Sequence, residues 1–236
     1  MARNLFFKER EITMNTKKSM KQHVYQTLKD AILFRQIAPG AQLVEQMIAE
    51  KLNVSRTPIR NAISQLEKEG LVTIYPNRGA FVTLPTTAEI EQAYEARKKL
   101  EQSTAELAVV NVTDKDIKRL MQLIKKERDS YKNKDILEYL AINKEFHLEL
   151  AKISENKFLI DFIDKLLNQI NVFLMLYDVF YDVDIENSQR YLEHEAIVDA
   201  LEDKDIDRLQ LLFHQHMKTS MTYMNLEEKR HTFFGV

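Results

Sequence analysis

Three of the six histidines in this 236-residue chain stand where a helix would ordinarily carry an apolar side chain. Ile136, Leu140, Asn143, His147 and Leu150 recur at helical spacing, so Asn143 and His147 share one face, a turn apart. A second stripe is Tyr191, His194, Val198 and Leu201. A third is Leu209, Phe213, His216, Ser220 and Tyr223, with His214 facing the other way. Imidazoles from three helices, joined by the Asn143 carbonyl oxygen, suit a divalent transition metal; Zn, Ni and Mn are all compatible with that donor set. The competing reading makes each inward histidine a hydrogen-bonded core residue, and spacing alone does not bring the three together. A metal with open positions there could also activate water for an enzyme. No general-base motif accompanies it, and hydrolysis would leave the first third of the chain without a role.

A second chemical group is basic. Arg56, Thr57 and Arg60 fall at the start of the run RTPIRNAISQLEKEG, away from the face made by Ile59, Ala62, Ile63 and Leu66. Arginine offers a bidentate fork to guanine or phosphate, and threonine suits a phosphate oxygen or a thymine methyl. Arg78 and Gly79 lie in the turn between two alternating segments, LVTIYP and AFVTLP, which read as a hairpin with a basic tip. At the level of spacing, a small helical domain with merely solvated arginines fits as well.

The elements that must position these residues follow from periodicity. HVYQTLKDAILFRQI reads as a helix with Val24, Leu28, Ile32 or Ala31, and Arg35 at helical spacing, stopped by Pro39-Gly40. LVEQMIAEKL carries a stripe of Leu43, Met47, Ile48 and Leu52. Asn53-Val54 then leads to Ser55, a good N-cap for the third helix, with Pro58 in its first turn and Gly70 at its end. From Thr86 only helical periodicity is visible. Helices are expected at about 88–110, 114–132, 135–153, 157–181, 188–202 and 205–224, with breaks at Thr113-Asp114, Asn133-Lys134-Asp135, Ser154-Glu155-Asn156, Asn187-Ser188 and Asp203-Lys204-Asp205, most of them natural N-caps. The expected fold is mainly α. A flexible tail (1–18) precedes a winged helix-turn-helix (19–85). An antiparallel all-helical bundle of about six helices (86–225) and a tail (226–236) follow.

Composition agrees with that division. With only 4 Gly and 4 Pro, against averages near ~7% and ~5%, little of the chain is left for loops. The absence of cysteine excludes disulfides, thiolate metal sites and cysteine nucleophiles, and fits the cytoplasm. Residues 17–85 hold 10 Lys/Arg and 5 Asp/Glu, whereas residues 86–225 hold 19 and 27, so the first segment is the one suited to a polyanion. No stretch approaches the ~18 consecutive apolar residues of a membrane span, and the N-terminus does not read as a signal peptide.

Residues 21–84 resemble the DNA-binding domain of the GntR family of bacterial repressors. The matching features are Pro39-Gly40, Leu43 with Glu45, the run Val54 to Pro58 with Arg60, Leu66-Glu67, Gly70-Leu71-Val72 and Asn77 to Val82. The resemblance implies that Arg56, Thr57 and Arg60 contact double-stranded operator DNA and that Arg78 and Gly79 enter the minor groove. Gln46 stands where many members have an arginine, so the contact made there is weakened or replaced.

Residues 88–222 resemble the effector domain of the FadR subfamily, the FCD domain. The resemblance rests on Tyr94 to Arg97 with Leu100-Glu101, Asn143 to His147, Glu193 to Ile197 and His216. In metal-binding members an aspartate four residues before a histidine and two later histidines are the ligands. These positions are Asn143, His147, His194 and His216, with a neutral Asn lowering the negative charge of the site. Arg97 would face the cavity as partner of an anionic effector; its alternative is a surface ion pair with Glu101. The segment NVFLMLYDVF is more apolar than in many relatives, suggesting core, a dimer contact or a greasy cavity wall. Together the resemblances imply a homodimeric repressor controlled by a carboxylate-like effector beside a divalent metal, with no enzymatic activity and no membrane. A DNA-binding protein without any effector would leave the inward histidines pointless.

Overall fold

The structure, a computed structural model, describes residues 19–133, 135–176 and 190–223. The expected tails, the Asn187-Ser188 cap, the NVFLMLYDVF segment beyond residue 176, and the side chains of Ile136 and Tyr223 lie outside the described residues. The chain divides into two units, with the boundary between Pro85 and Thr86.

The first unit contains α1 (Met20–Leu33), β1 (Gln42–Leu43), α2 (Glu45–Leu52), α3 (Arg56–Lys68), β2 (Val72–Tyr75) and β3 (Gly79–Val82). Ser19 and Gln22 start α1 with a reciprocal capping box, satisfying two backbone N–H groups that a helix start leaves open. Val24, Leu28, Ala31 and Ile32 on α1 and Ile59, Ala62, Ile63 and Leu66 on α3 are all buried where these two helices pack. The α2 stripe needs correction. Val44 is extended (φ −80°, ψ 107°), so the helix starts only at Glu45 and Leu43 joins a strand paired with Ala80 of β3. Met47 is exposed, Ile48 and Leu52 are half-buried, and no residue of α2 is fully buried. The wing is therefore a three-stranded sheet, ordered β1-β3-β2, rather than a two-stranded hairpin. A two-residue strand has no periodicity to read.

Asn53 closes α2 in the left-handed region (φ 51°), which its short polar side chain tolerates. Ser55 occupies the N-cap of α3, yet its hydroxyl makes no capping bond. The third residue of that helix is Pro58, which has no N–H to donate.

The second unit has six helices among the described residues: α4 (Thr87–Asn111), α5 (Asp114–Asn133), α6 (Ile136–Ile153), α7 (Lys157–Leu176), α8 (Arg190–Glu202) and α9 (Ile206–Tyr223). Thr86 and Glu89 form a capping box on α4. Asp135, Asn156 and Asp205 each accept backbone N–H bonds at the starts of α6, α7 and α9. Two large apolar clusters and a smaller one of Ala151, Ile163 and Leu167 make the core among the described residues. One large cluster gathers Ala105, Leu123, Phe146, Leu150, Val198 and Phe213, among others; the other gathers Ile90, Tyr94, Leu140, Phe173, Leu174 and Met217. Along α4, α6 and α9 the buried polar residues Arg97, Glu101, Asn143, His147 and His216 lie between or beside members of the two large clusters. A polar layer thus interrupts the apolar core. Among the described residues, no helix is long and apolar enough to cross a membrane.

Candidate functional site

The polar layer converges on three imidazoles. His147 (α6), His194 (α8) and His216 (α9) are each at most 2% exposed, and each offers a ring nitrogen within 4.8 Å of the other two. The Nε2 atoms of His147 and His216 are 3.3 Å apart. Phe146 stacks on the His194 ring at 4.2 Å, fixing its plane. His214 is exposed.

The opposite side of each ring faces a carboxylate. His194 Nδ1 is 2.7 Å from Glu127 Oε2, and His216 Nδ1 is 2.7 Å from Glu193 Oε2. His147 Nδ1 is 3.1 Å from Glu101 Oε1, at ion-pair distance but off the line of a hydrogen bond. A carboxylate accepts a proton-bearing Nδ1, which leaves the lone pair of a neutral ring on Nε2. Burial, reinforced by the charge of Arg97, lowers His147 to about 3 against the opposing pull of Glu101. Burial, then the neighbouring His194 and His147, holds His216 well below the ordinary histidine range. Burial alone would raise Glu101, but Arg97 and His147 outweigh it and lower its carboxyl to about 2. Glu193 is raised, mainly by burial.

Arg97 resolves one of the sequence alternatives. Its Nε donates to Glu101 Oε1 at 2.8 Å, so the i,i+4 pair forms, but it is a buried pair with both side chains 3% exposed, not a surface one. Arg97 Nη2, Glu101 Oε2, Glu127 Oε1 and His194 Nε2 are buried without a hydrogen-bond partner. Asn143 is buried one turn before His147 on the same helix. Sequence reasoning missed the three-carboxylate arrangement, and it missed Arg190, a buried residue of α8 whose Nη1 donates to the Tyr139 hydroxyl at 3.0 Å. The signal was present for both Glu127 and Arg190. Leu120, Leu123, Glu127 and Ser130 form one inward stripe, and Arg190 precedes His194 by four residues.

In the first unit Arg56, Thr57 and Arg60 are exposed on the opening turns of α3. Arg60 Nε and Arg56 Nη2 both donate to one oxygen, Oε2 of Glu45, at 2.8 and 3.1 Å. Glu45 was not singled out from sequence as a site residue, and it draws the two arginines together. Gln46 on α2 donates to Glu50 at 3.1 Å. Arg78 and Gly79 are exposed at the hairpin tip, where Gln42 Nε2 donates to the Arg78 carbonyl at 2.8 Å. The Arg78 guanidinium lies 5.5 and 5.7 Å from the Tyr75 and Phe81 ring centroids.

A winged helix-turn-helix with exposed arginines at its third helix, joined to a helical domain with a polar centre, defines a class of DNA-binding regulators carrying a sensor domain. Residues 20–82 match the bacterial regulatory proteins of the gntR family, and residues 92–219, over half of the chain, match the FCD domain. The chain belongs to the GntR family of transcriptional regulators, with an N-terminal GntR helix-turn-helix domain and a C-terminal FCD effector-binding domain. Its relatives are regulators, not enzymes. It is 27% identical over 209 residues to the HTH-type transcriptional repressor RspR of Escherichia coli, covering 88% of this chain and 90% of RspR. It is 30% identical over 189 residues to the Uxu operon regulator of Haemophilus influenzae, covering 74% and 70%. The fold is shared with Escherichia coli McbR/YncC (TM-score 0.67, 22% identity, 89% of this chain and 99% of that one). Lar, which controls expression of the Listeria monocytogenes agr system, shares it as well (TM-score 0.69, 19% identity, the same coverages).

Proposed function

We propose that this regulator is a cytoplasmic homodimeric repressor whose affinity for a two-fold operator is set by an organic-acid effector bound beside a divalent metal. In this reading His147, His194 and His216 hold the metal through Nε2, and the Asn143 side-chain oxygen completes the donor set. The observation that carries the metal is the facing of His147 and His216 through Nε2 at 3.3 Å. That distance suits a neutral N–H···N bond between the two rings as well as a shared cation; the third imidazole, His194, with its Nε2 unpartnered at the same centre, favours the cation. Zn, Ni and Mn all accept imidazole nitrogen and amide oxygen, so availability decides among them. When bound, such an ion supplies a Lewis-acidic anchor for an effector carboxylate. Arg97, with Nη2 buried and unpartnered, supports the same ligand class, because it offers a charged donor to an anion.

On the DNA side Arg56, Thr57 and Arg60 read base edges and phosphates in the major groove, Gln46 meets the backbone, and Arg78 with Gly79 enters the minor groove. One recognition helix per chain calls for a pair of chains on paired half-sites. Repression is favoured because RspR, similar along most of its length, is a repressor. The test has two arms. Mobility shifts against the promoter nearest its own gene should show a two-fold site occupied by a dimer. Metal titration of chelator-treated protein should show one ion per chain, lost in a His147→Ala, His194→Ala double variant. Equal, negligible uptake by both proteins would leave the histidines as core residues.

A further inference from the structure

We infer that Glu127, supported by Glu193 and Glu101, supplies from behind the imidazoles the negative charge that the neutral Asn143 withholds from the metal site. The inference rests on the metal reading above and assigns positioning residues to it. Each histidine turns Nδ1 toward a different carboxylate, and the three carboxylates come from α5, α8 and α4. Glu101 is already matched by Arg97. Glu127 is not: it is 1% exposed, its only ion-pair partner among the described residues is His194, and its Oε1 is unpartnered. A carboxylate buried that deeply is unfavourable unless positive charge compensates it. His194 stands next in line, and its Nε2 is buried without a partner on the side where the other two rings converge.

The chain Glu127–His194–Nε2 therefore has a carboxylate at one end and an unpartnered ring nitrogen at the other. A carboxylate hydrogen-bonded to Nδ1 locks the Nδ1–H tautomer, orients the ring and raises the basicity of Nε2. Glu193 repeats this on His216 at the same 2.7 Å distance. Negative charge placed behind the ligands does for the ion much of what a direct aspartate would do. The same shell draws α4 and α5 into a centre whose imidazoles come from α6, α8 and α9, so one ion would brace five of the six helices.

The test uses full-length, chelator-stripped protein, Zn2+ as probe in competition with a chromophoric chelator, and the melting temperature of the metal-free protein. Glu127→Gln should bind Zn2+ about 10–100-fold more weakly, while the metal-free protein melts no lower than wild type, since a buried charge has been removed. Glu193→Gln, at a half-exposed position that tolerates change, should weaken binding in the same direction. Adding Asn143→Asp to Glu127→Gln should recover most of the lost affinity, because the charge returns as a direct ligand. A merely structural Glu127 would instead lower the metal-free melting temperature and leave Zn2+ affinity untouched, which overturns the inference. Wild-type affinity in both Gln variants overturns it too, with the metal reading left standing. A wild-type protein that takes up no Zn2+ overturns both.

Discussion

His147 and His216, contributed by helices nearly seventy residues apart in the chain, face each other through Nε2 at 3.3 Å while the far side of each ring is turned to a glutamate. Neutral rings are what such burial enforces, and that makes the domain sensitive to acid. His147 falls from 6.5 to about 3 in the folded chain. The unfolded chain therefore takes up a proton near the ordinary histidine value while the folded one resists. The stability contributed by the neutral ring is complete above 6.5 and is lost as pH falls toward 3. Glu101, lowered from 4.5 to about 2, adds a contribution that is present above 4.5 and lost as pH falls through 2. Melting temperatures of metal-free protein should be level above neutrality, decline below pH 6.5 and decline more steeply below 4.5. A level profile down to pH 5, roughly 1.5 below the free histidine value, would contradict the neutral-ring assignment.

Metal should oppose that loss. Binding only to the folded state stabilises it by about 2.7 kcal/mol when free metal is a hundred times the Kd. Asn143→Asp, by adding charge one turn before His147, should tighten the site and enlarge the thermal shift at a fixed metal concentration. Calorimetric titration and melting with and without metal check this. A variant with weaker binding than wild type would remove Asn143 from the donor set.

Most of this architecture was legible because helices announce themselves by period. Stripes through His147, His194 and His216 put the three rings inward, and all three are buried. What periodicity could not convey was partnership. Glu127 lies in the charged run KKERDS, whose composition suggests solvent, although its spacing from Leu120 and Leu123 places it inside. Arg97 and Glu101 look like an ordinary surface pair from their spacing; only tertiary packing buries them and sets Glu101 against His147. β1 was missed for a different reason: two residues are too short to carry a pattern, and Leu43 served the α2 stripe equally well on paper.

Glu45 gives the DNA-binding face a test of its own. Arg56→Ala or Arg60→Ala should cost roughly 1–3 kcal/mol in operator affinity without unfolding the protein. Both arginines donate to the same Glu45 oxygen, which holds them side by side and offsets part of their charge. Glu45→Gln should strengthen binding to non-specific DNA, steepen its salt dependence by about one ion and narrow the gap between operator and non-specific sites. Fluorescence anisotropy across a salt series on both DNAs reads all three quantities. An unchanged ratio would mean that the arginines leave Glu45 on binding without consequence.

The wing offers the last test. Gly79 has φ 92°, where a side chain is strained, and Gln42 grips the carbonyl of Arg78 from β1, so the tip is held in one shape. Its guanidinium lies over Tyr75 and Phe81, whose rings limit where it can point. A cation presented by a fixed hairpin neutralises phosphate or the negative potential of a narrow minor groove. Arg78→Ala should therefore weaken operator binding and reduce the slope of log affinity against log salt by about one. Gly79→Ala leaves the charge but strains the turn, so it should lower affinity and leave that slope nearly intact. The pair separates charge from shape. Unchanged affinity and slope in Arg78→Ala would show that the wing tip stays in solvent when the recognition helix docks.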